Sequence, residues 1–157
     1  MDVIEAGGRR FTVTRAVESD VDDIVALLRD DPLGATREVD DPARYLAAFA
    51  AIDADPNQLL VIVRAEDGAP AGTLQLTFLR SLSRAGALRA QVEAVRVGAD
   101  ARGLGLGSAL FGWAHDTARA RGATVAQLTT DRSRTDAHRF YARLGYVASH
   151  DGLKLAL

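Results

Sequence analysis

Val95-Arg96-Val97-Gly98-Ala99-Asp100-Ala101-Arg102-Gly103-Leu104-Gly105-Leu106-Gly107-Ser108-Ala109-Leu110 decides how this chain reads. An extended apolar run stops at a glycine-rich turn, and the turn feeds an amphipathic helix in which Leu106, Ala109, Leu110, Trp113 and Thr117 recur at helical spacing. A helix start leaves backbone N–H groups without partners, and alternating glycines let a ligand approach them. The order strand, glycine turn, helix therefore predicts a cradle for an anionic group. Arg102, just before the glycines, adds a fork of donors. A Walker loop is excluded, because no Lys-Ser or Lys-Thr follows. The dinucleotide fingerprint fits poorly, since Gly103, Gly105 and Ser108 lack its third glycine.

Outward from this turn, Leu88 to Val97 reads as a long strand and Val125 to Thr130 as another. Thr135 to Leu144 reads as a helix closed by Gly145 in a left-handed cap. Toward the N-terminus, Leu59–Arg64 and Gly72–Phe78 form an antiparallel hairpin across Glu66-Asp67-Gly68. Phe11–Ala16 is a first strand, and residues 1–10 are expected as a flexible N-terminus. Ser19 is the expected cap of a helix over residues 20–29, with Asp22 at the capping-box position and Val21, Ile24, Val25 and Leu28 inward. Asp41-Pro42 opens a second helix with Tyr45, Leu46 and Phe49 on one face. Leu79–Ala87 is a loop, and Tyr146–Ser149 and Lys154–Leu157 are two short closing strands.

The 157 residues suffice for one domain, with 48% apolar and 25% charged residues. There is no cysteine, which excludes disulfides, thiolate metal sites and a cysteine nucleophile. No His and acid cluster has metal-ligand spacing, so no metal site is expected. No signal peptide and no apolar span is present, which makes the cytoplasm the expected location and a membrane an unexpected partner. Aromatic residues are few, at 6%, and no basic stripe interleaves with them, which argues against nucleic acid. Charge is split along the chain. Residues 1–78 carry 7 Arg and 15 acids, a net −8, whereas residues 79–157 carry 12 Arg and Lys and 6 acids, a net +6. The acids at 30, 31, 38, 40 and 41 suit a cationic amine, and Arg80 and Arg84 suit an anionic group on an acceptor or a partner subunit.

Two segments carry a family resemblance. Arg102-Gly103-Leu104-Gly105-Leu106-Gly107 resembles the acyl-CoA signature R/Q-x-x-G-x-G/A of the GCN5-related N-acetyltransferase (GNAT) family. Asp136-Ala137-His138-Arg139-Phe140-Tyr141-Ala142-Arg143-Leu144-Gly145-Tyr146 resembles its A-x-x-F-Y-x-x-x-G-F/Y end motif. The approach strand 91–97 and the order of elements across nearly the whole chain are similar to the family as well.

The resemblance implies an α/β fold: a mixed, strongly twisted sheet of about seven strands flanked by about four helices, in a single acetyltransferase domain over residues 1–157. It implies acetyl-CoA as cofactor. The backbone of Gly103, Leu104, Gly105, Leu106, Gly107 and Ser108, with Arg102, would hold its pyrophosphate. Val95, Arg96 and Val97 would line the pantetheine arm, paired as an added strand, in the gap between two splayed parallel strands. Asp131, Arg132, Ala137 and Phe140 fall at further contact positions, although the family more often has Asn near 131. Tyr141 stands at the position of the general acid and Glu93 at that of a carboxylate that deprotonates the amine.

The residues agree with direct transfer. A protonated alkyl amine, with pKa ~10.4, has no lone pair to attack with, so a base such as Glu93 must first take a proton. Val95 N–H suits a developing oxyanion and Tyr141 a departing thiolate. Ser108 and His115 are separated by ~10 Å along their helix, too far for a nucleophile–base pair. His115 reads as a packing residue. The expected reaction is acetylation of a primary amine, of a small molecule by preference. A protein or peptide acceptor, a silent coenzyme A-binding module, and a metabolite-binding fold without coenzyme A are the alternatives. The acceptor pocket is expected from segment 30–45, loop 79–89 and the C-terminal hairpin, and a homodimer is consistent with the resemblance.

Overall fold

The computed structural model describes residues 1–31 and 34–157. Strands β1 (Asp2–Ala6), β2 (Arg9–Arg15), β3 (Gln58–Ala65), β4 (Pro70–Arg80), β5 (Leu88–Val97) and β6 (Val125–Gln127) lie in one sheet in sequence order. Neighbours are antiparallel except β5 and β6, which are parallel. Among the described residues, four helices longer than one turn flank it: α1 (Val21–Arg29), α2 (Pro42–Ala54), α3 (Leu106–Ala120) and α4 (Thr135–Arg143).

Alternation along the strands sends successive side chains to opposite faces. Val61, Val63, Leu74, Leu76, Ala90 and Val92 turn to one face and bury against Leu106, Leu110 and Phe111 of α3. Leu60 and Ile62 turn to the other face and meet Val21, Ile24 and Val25 of α1 and Phe49 of α2. The mixed sheet with helices on both faces is the architecture anticipated above. The 88–97 strand falls on β5 residue for residue.

Several local expectations are corrected. Residues 1–10, expected as a flexible N-terminus, contain β1, which pairs with β2 across Gly7-Gly8. Both glycines have positive φ, 56° and 73°, the conformation a two-residue hairpin turn demands. Ser19 does not cap α1. It lies in a 3-10 turn, Glu18–Asp20, and Asp20 instead accepts a hydrogen bond from Val17 N at 2.9 Å. Leu28 packs partly buried against the α1/α2 core as expected, and Leu27 is buried as well. Asp41 does cap α2, accepting from Arg44 N at 3.2 Å, but Leu46 is exposed and Ile52 replaces it on the packed face.

The sheet has six strands rather than about seven. Residues 146–157 form no ladder, and Val147, Leu153 and Leu155 are all more than three-quarters exposed. Their alternation has no partner side chains to pack against, and an isolated short strand pair does not sustain itself in water. β6 also stops at Gln127 instead of reaching Thr130. The 79–87 loop extends β4 to Arg80 and then makes one short helical turn, Ser83–Gly86, where Arg84 and Ala85 take left-handed φ of 55° and 57°.

Candidate active site

The site begins where β5 and β6 part. β6 pairs only with Arg89, Ala90 and Gln91. Two residues later the β4–β5 register shifts, between Thr73↔Arg96 and Gln75↔Glu93, and Ala94 takes a φ of +52°. A non-glycine residue in that region is strained, and a bulge there bends and twists its strand. Beyond Gln91 the C-terminal half of β5 therefore has a strand neighbour on the β4 side alone among the described residues. Val95 and Val97 sit in this half, partly buried against the α3 side of the core. Arg96 Nη1 donates to the Val95 carbonyl at 2.8 Å, so part of the edge expected to pair with a ligand is satisfied from within.

β5 ends in a 3-10 turn, Ala99–Ala101, and the glycine loop follows. Gly103 and Gly105 have φ of 78° and 83°, and a Cβ on either would enter open space. The N–H groups of residues 103–108 donate to no protein acceptor among the described residues, and Ala109 N is the first amide back in the helical ladder, at 3.1 Å from Gly105 O. No side chain caps α3. Six free amides, a helix start and open space give this turn the geometry that suits an anionic group. Leu106 is buried, so only its backbone can face a ligand, whereas Ser108 is exposed. Leu104 props the loop from below, since a Cβ on Gly7 of the β1–β2 turn would meet it at 3.0 Å.

Arg102 is held rather than loose. Its Nη2 donates to Asp30 Oδ2 at 2.7 Å and to the Asp30 carbonyl at 2.8 Å, and its Nε to Val97 O at 3.2 Å. Next door, Asp31 takes Arg96 Nη2 at 3.4 Å and Arg134 Nη2 at 3.5 Å on its two oxygens, with little exposure. The chain after α1 is thus tied to the glycine loop, to β5 and to the approach to α4. The other acids expected to suit a cationic amine, at 38, 40 and 41, have partners too. Glu38 accepts from Tyr45 Oη at 2.6 Å and raises that phenol's pKa, Asp40 lies 3.9 Å from Arg29, and Asp41 is the α2 cap. Each carboxylate has a partner within the protein, although Asp40 stays almost fully exposed. Pro32 and Leu33 of the expected acceptor segment lie outside the described residues.

Tyr141 and Phe140 occupy α4, and both rings meet Phe111 edge-on at 5.6 Å. They therefore share one aromatic cluster with Tyr146, rather than one packing and the other standing free. Phe140 also touches the glycine helix, where a Cβ on Gly107 would come 3.4 Å from its ring. Burial pushes the Tyr141 phenol above its ordinary value, while Arg134 and Arg96 pull it back. No hydrogen-bond partner of its hydroxyl occurs among the described residues. Glu93 is exposed on β5 at the bulge, opposite Gln75, and pairs with no cation among the described residues.

The remaining expected contacts divide. Asp131 accepts from Ser133 N at 3.0 Å and Ser133 Oγ at 2.7 Å, bonds that hold its carboxyl below the usual range and build the turn into α4. Arg132 is exposed, 3.4 Å from the equally exposed Asp151, and Ala137 is half-buried on α4. His138 Nε2 lies 3.1 Å from Asp131 O, and His115 Nε2 lies 2.9 Å from Tyr146 Oη. His115 is a packing residue, as read. Arg89 and the glutamines beside it escaped the sequence reading. Their signal was the polar parity of Arg89, Gln91 and Glu93 in an otherwise apolar strand.

Two clefts flank the sheet. One, between α1 and α2, is lined by Asp22, Arg29, Asp41 and Tyr45 and shares no residue with the glycine loop. The other is apolar and runs between α1, α2 and the sheet to Gln75 and Ala94, at the bulge.

Comparison with known proteins places these features in context. Residues 21–146 match the model of the Acetyltransferase (GNAT) family. A transcriptional regulator from Bacillus halodurans C-125 has the same fold, with a TM-score of 0.88 and 42% identity over 94% of this chain and 99% of that one. A putative acetyltransferase from Agrobacterium tumefaciens str. C58 follows at a TM-score of 0.81 and 25% identity, covering 93% and 99%. Over 49 residues the chain is 51% identical to an aminoalkylphosphonate N-acetyltransferase of Salmonella typhimurium (strain LT2). That match spans 31% of this chain and about a third of the relative, 32%.

Proposed function

The chain belongs to the Acetyltransferase (GNAT) family and is an acetyl-CoA-dependent acetyltransferase, and on that premise we propose that it acetylates the primary amine of a small molecule by direct attack in a ternary complex. The observation that carries the reading is the run of free amides at residues 103–108, over open space at the start of α3, beside the gap between β5 and β6. Residues 1–157 are read as one domain, since the sheet is continuous from β1 to β6.

Acetyl-CoA supplies an acetyl group activated as a thioester. The amides of Gly103–Ser108 bind its pyrophosphate, and the positive end of α3 adds to their attraction for anionic charge. Arg102 lies at the same loop. The edge of β5 at Val95–Val97, which β6 leaves uncovered and whose Val95 and Val97 carbonyls Arg96 and Arg102 already occupy, orients the arm that follows, as a sheet edge accepts an added strand. The apolar pocket between α1, α2 and the bulge offers room for the acceptor's carbon chain beside Gln75 and Ala94. Glu93, unpaired at the bulge, takes the ammonium proton, directly or through one water. Tyr141 keeps its phenolic proton at neutral pH as any phenol does, burial raises its pKa further, and it holds that proton for the departing sulfur. Positions 131, 132, 137 and 140 act around this centre: Asp131 shapes the turn into α4, Arg132 stands near it on the surface, and Ala137 and Phe140 pack α4 against the loop.

The small size of the acceptor is supported by the narrow, apolar character of the pocket and by the local likeness to a relative named for an aminoalkylphosphonate. A thiol-release assay with acetyl-CoA over a panel of amines and short peptides tests the reading, with Tyr141→Phe as control. Turnover on small amines that falls in the variant is expected. Turnover on peptides alone, or coenzyme A binding with no turnover on any acceptor, contradicts it.

A further inference from the structure

β5 alternates without interruption up to Ala94. Leu88, Ala90 and Val92 are buried on the α3 face, so Arg89, Gln91 and Glu93 project from the other face, which α1 and α2 cover only in part. Neighbouring strands continue this polar surface. Gln91 stands beside Thr77 and Gln127, and Glu93 beside Gln75. The amides are locked to one another: Gln58 Oε1 accepts from Gln75 Nε2 at 3.0 Å and from Thr77 Oγ1 at 2.8 Å, and Gln127 Nε2 donates to Gln91 Oε1 at 2.7 Å.

Arg89 closes the chain. Its Nη1 donates to Gln127 Oε1 at 3.4 Å, and its Nε is buried with no partner. No carboxylate lies within ion-pair distance of it among the described residues. That sets it apart from Arg64, Arg96, Arg102 and Arg134, each of which meets an aspartate. A half-buried guanidinium without a counter-ion gives up hydration and gains little in return. Its fork of donors fits an oxyanion bidentately.

We infer that Arg89 binds an oxyanion on the acceptor, so that the substrate is an amine carrying a phosphonate, phosphate or carboxylate group. Glu93 and Arg89 are four residues apart on one face, ~13 Å between Cα atoms at ~3.3 Å per residue. The amine sits at the Glu93 end, by the bulge, and the oxyanion at the Arg89 end, with the glutamine amides between them. This inference rests on the proposed role of Glu93 at the amine.

Two measurements on the full chain test it. The first is steady-state kinetics at saturating acetyl-CoA with three acceptors of equal length: an ω-aminoalkylphosphonate, an ω-aminocarboxylate and an n-alkylamine. The phosphonate or the carboxylate is expected to exceed the alkylamine in kcat/KM by about 10-fold or more. Arg89→Gln should raise KM for the anionic acceptors by about that factor, leave kcat within about threefold, and leave the alkylamine unchanged. Arg89→Lys should restore part of the loss. The relative rates on phosphonate and carboxylate identify the oxyanion. Equal use of all three acceptors, or equal damage to all three in Arg89→Gln, overturns the inference while leaving the acetyltransferase intact. The second measurement needs no turnover: methylphosphonate and acetate are titrated into the coenzyme A-loaded protein by calorimetry. Saturable binding of either that is lost in Arg89→Gln supports the site even if no amine in the panel is acetylated. Binding of neither, or binding equal in the variant, overturns it.

Discussion

Arg102 Nη2 is shared between the carboxylate and the carbonyl of Asp30, at 2.7 and 2.8 Å. The residue that introduces the glycine loop is thereby fastened to the end of α1, 72 positions earlier in the chain. The contact faces solvent on both sides and adds little stability by itself. Its consequence is positional: the end of α1 and the start of the glycine loop are joined by one guanidinium. Asp31 repeats the connection through Arg96 and Arg134.

Arg102→Gln removes the charge and the fork but keeps the loop. Coenzyme A affinity, measured by calorimetry, is expected to fall about 10-fold while the circular dichroism spectrum stays that of wild type. Unchanged affinity would mean that Arg102 serves Asp30 alone.

Two glycine variants should move in opposite directions. Gly105→Ala forces an L side chain to a φ of 83° and puts a methyl group into the open space over the amides. It is expected to lower stability by about 1–2 kcal/mol and to abolish coenzyme A binding. Gly112 lies inside α3 with nothing near its Cβ position. Gly112→Ala should raise stability by about 0.5–1 kcal/mol and leave cofactor affinity alone. Thermal melts with and without coenzyme A read both effects.

Tyr141→Phe keeps the ring against Phe111 and removes only the proton. kcat is expected to drop about 100-fold with KM for acetyl-CoA little changed. Since burial raises the phenol above 10 in the wild type, no loss of activity traceable to Tyr141 should appear as pH rises through the neutral range. An alkaline limb below pH 9 that disappears in Tyr141→Phe would contradict this.

His115 makes stability depend on pH. Burial lowers its pKa below 6.5, with Arg119 adding to the effect, so the folded state holds it neutral while the unfolded chain still takes up a proton. Stability from this group is complete above pH 6.5 and is lost as pH falls from there toward the folded value. The difference in melting temperature between wild type and His115→Gln should therefore shrink on going from pH 7.5 to pH 5.5. A difference constant across that interval would contradict the assignment.

Much of this architecture can be read from local chemistry. β5 and α2 announce themselves through β-branched alternation and through Asp41-Pro42, signals that act within a few residues. β1 was legible too, in Gly7-Gly8 between extended segments, but Asp2–Ala6 has only one buried side chain to mark it. The C-terminal Leu-Lys-Leu-Ala-Leu alternation misleads for the opposite reason: pattern alone does not make a strand where no neighbour covers it. The two halves of the charge split meet in the fold. Asp30 and Asp31 belong to the acidic half, yet their partners Arg96, Arg102 and Arg134 lie 65 to 103 residues away, at separations that no local rule spans. Arg89 escapes notice because its meaning is negative, a missing counter-ion that only the folded sheet reveals.

The proposed function turns on whether the backbone amides of residues 103–108 hold the diphosphate of coenzyme A. Proton–nitrogen correlation spectra of the labelled protein, recorded during titration with coenzyme A, address those amides one by one. The largest shifts should fall on Gly103, Leu104, Gly105, Leu106, Gly107 and Ser108, and adenosine should not reproduce them. Saturable binding that leaves these six resonances in place, with shifts concentrated elsewhere, would contradict the account.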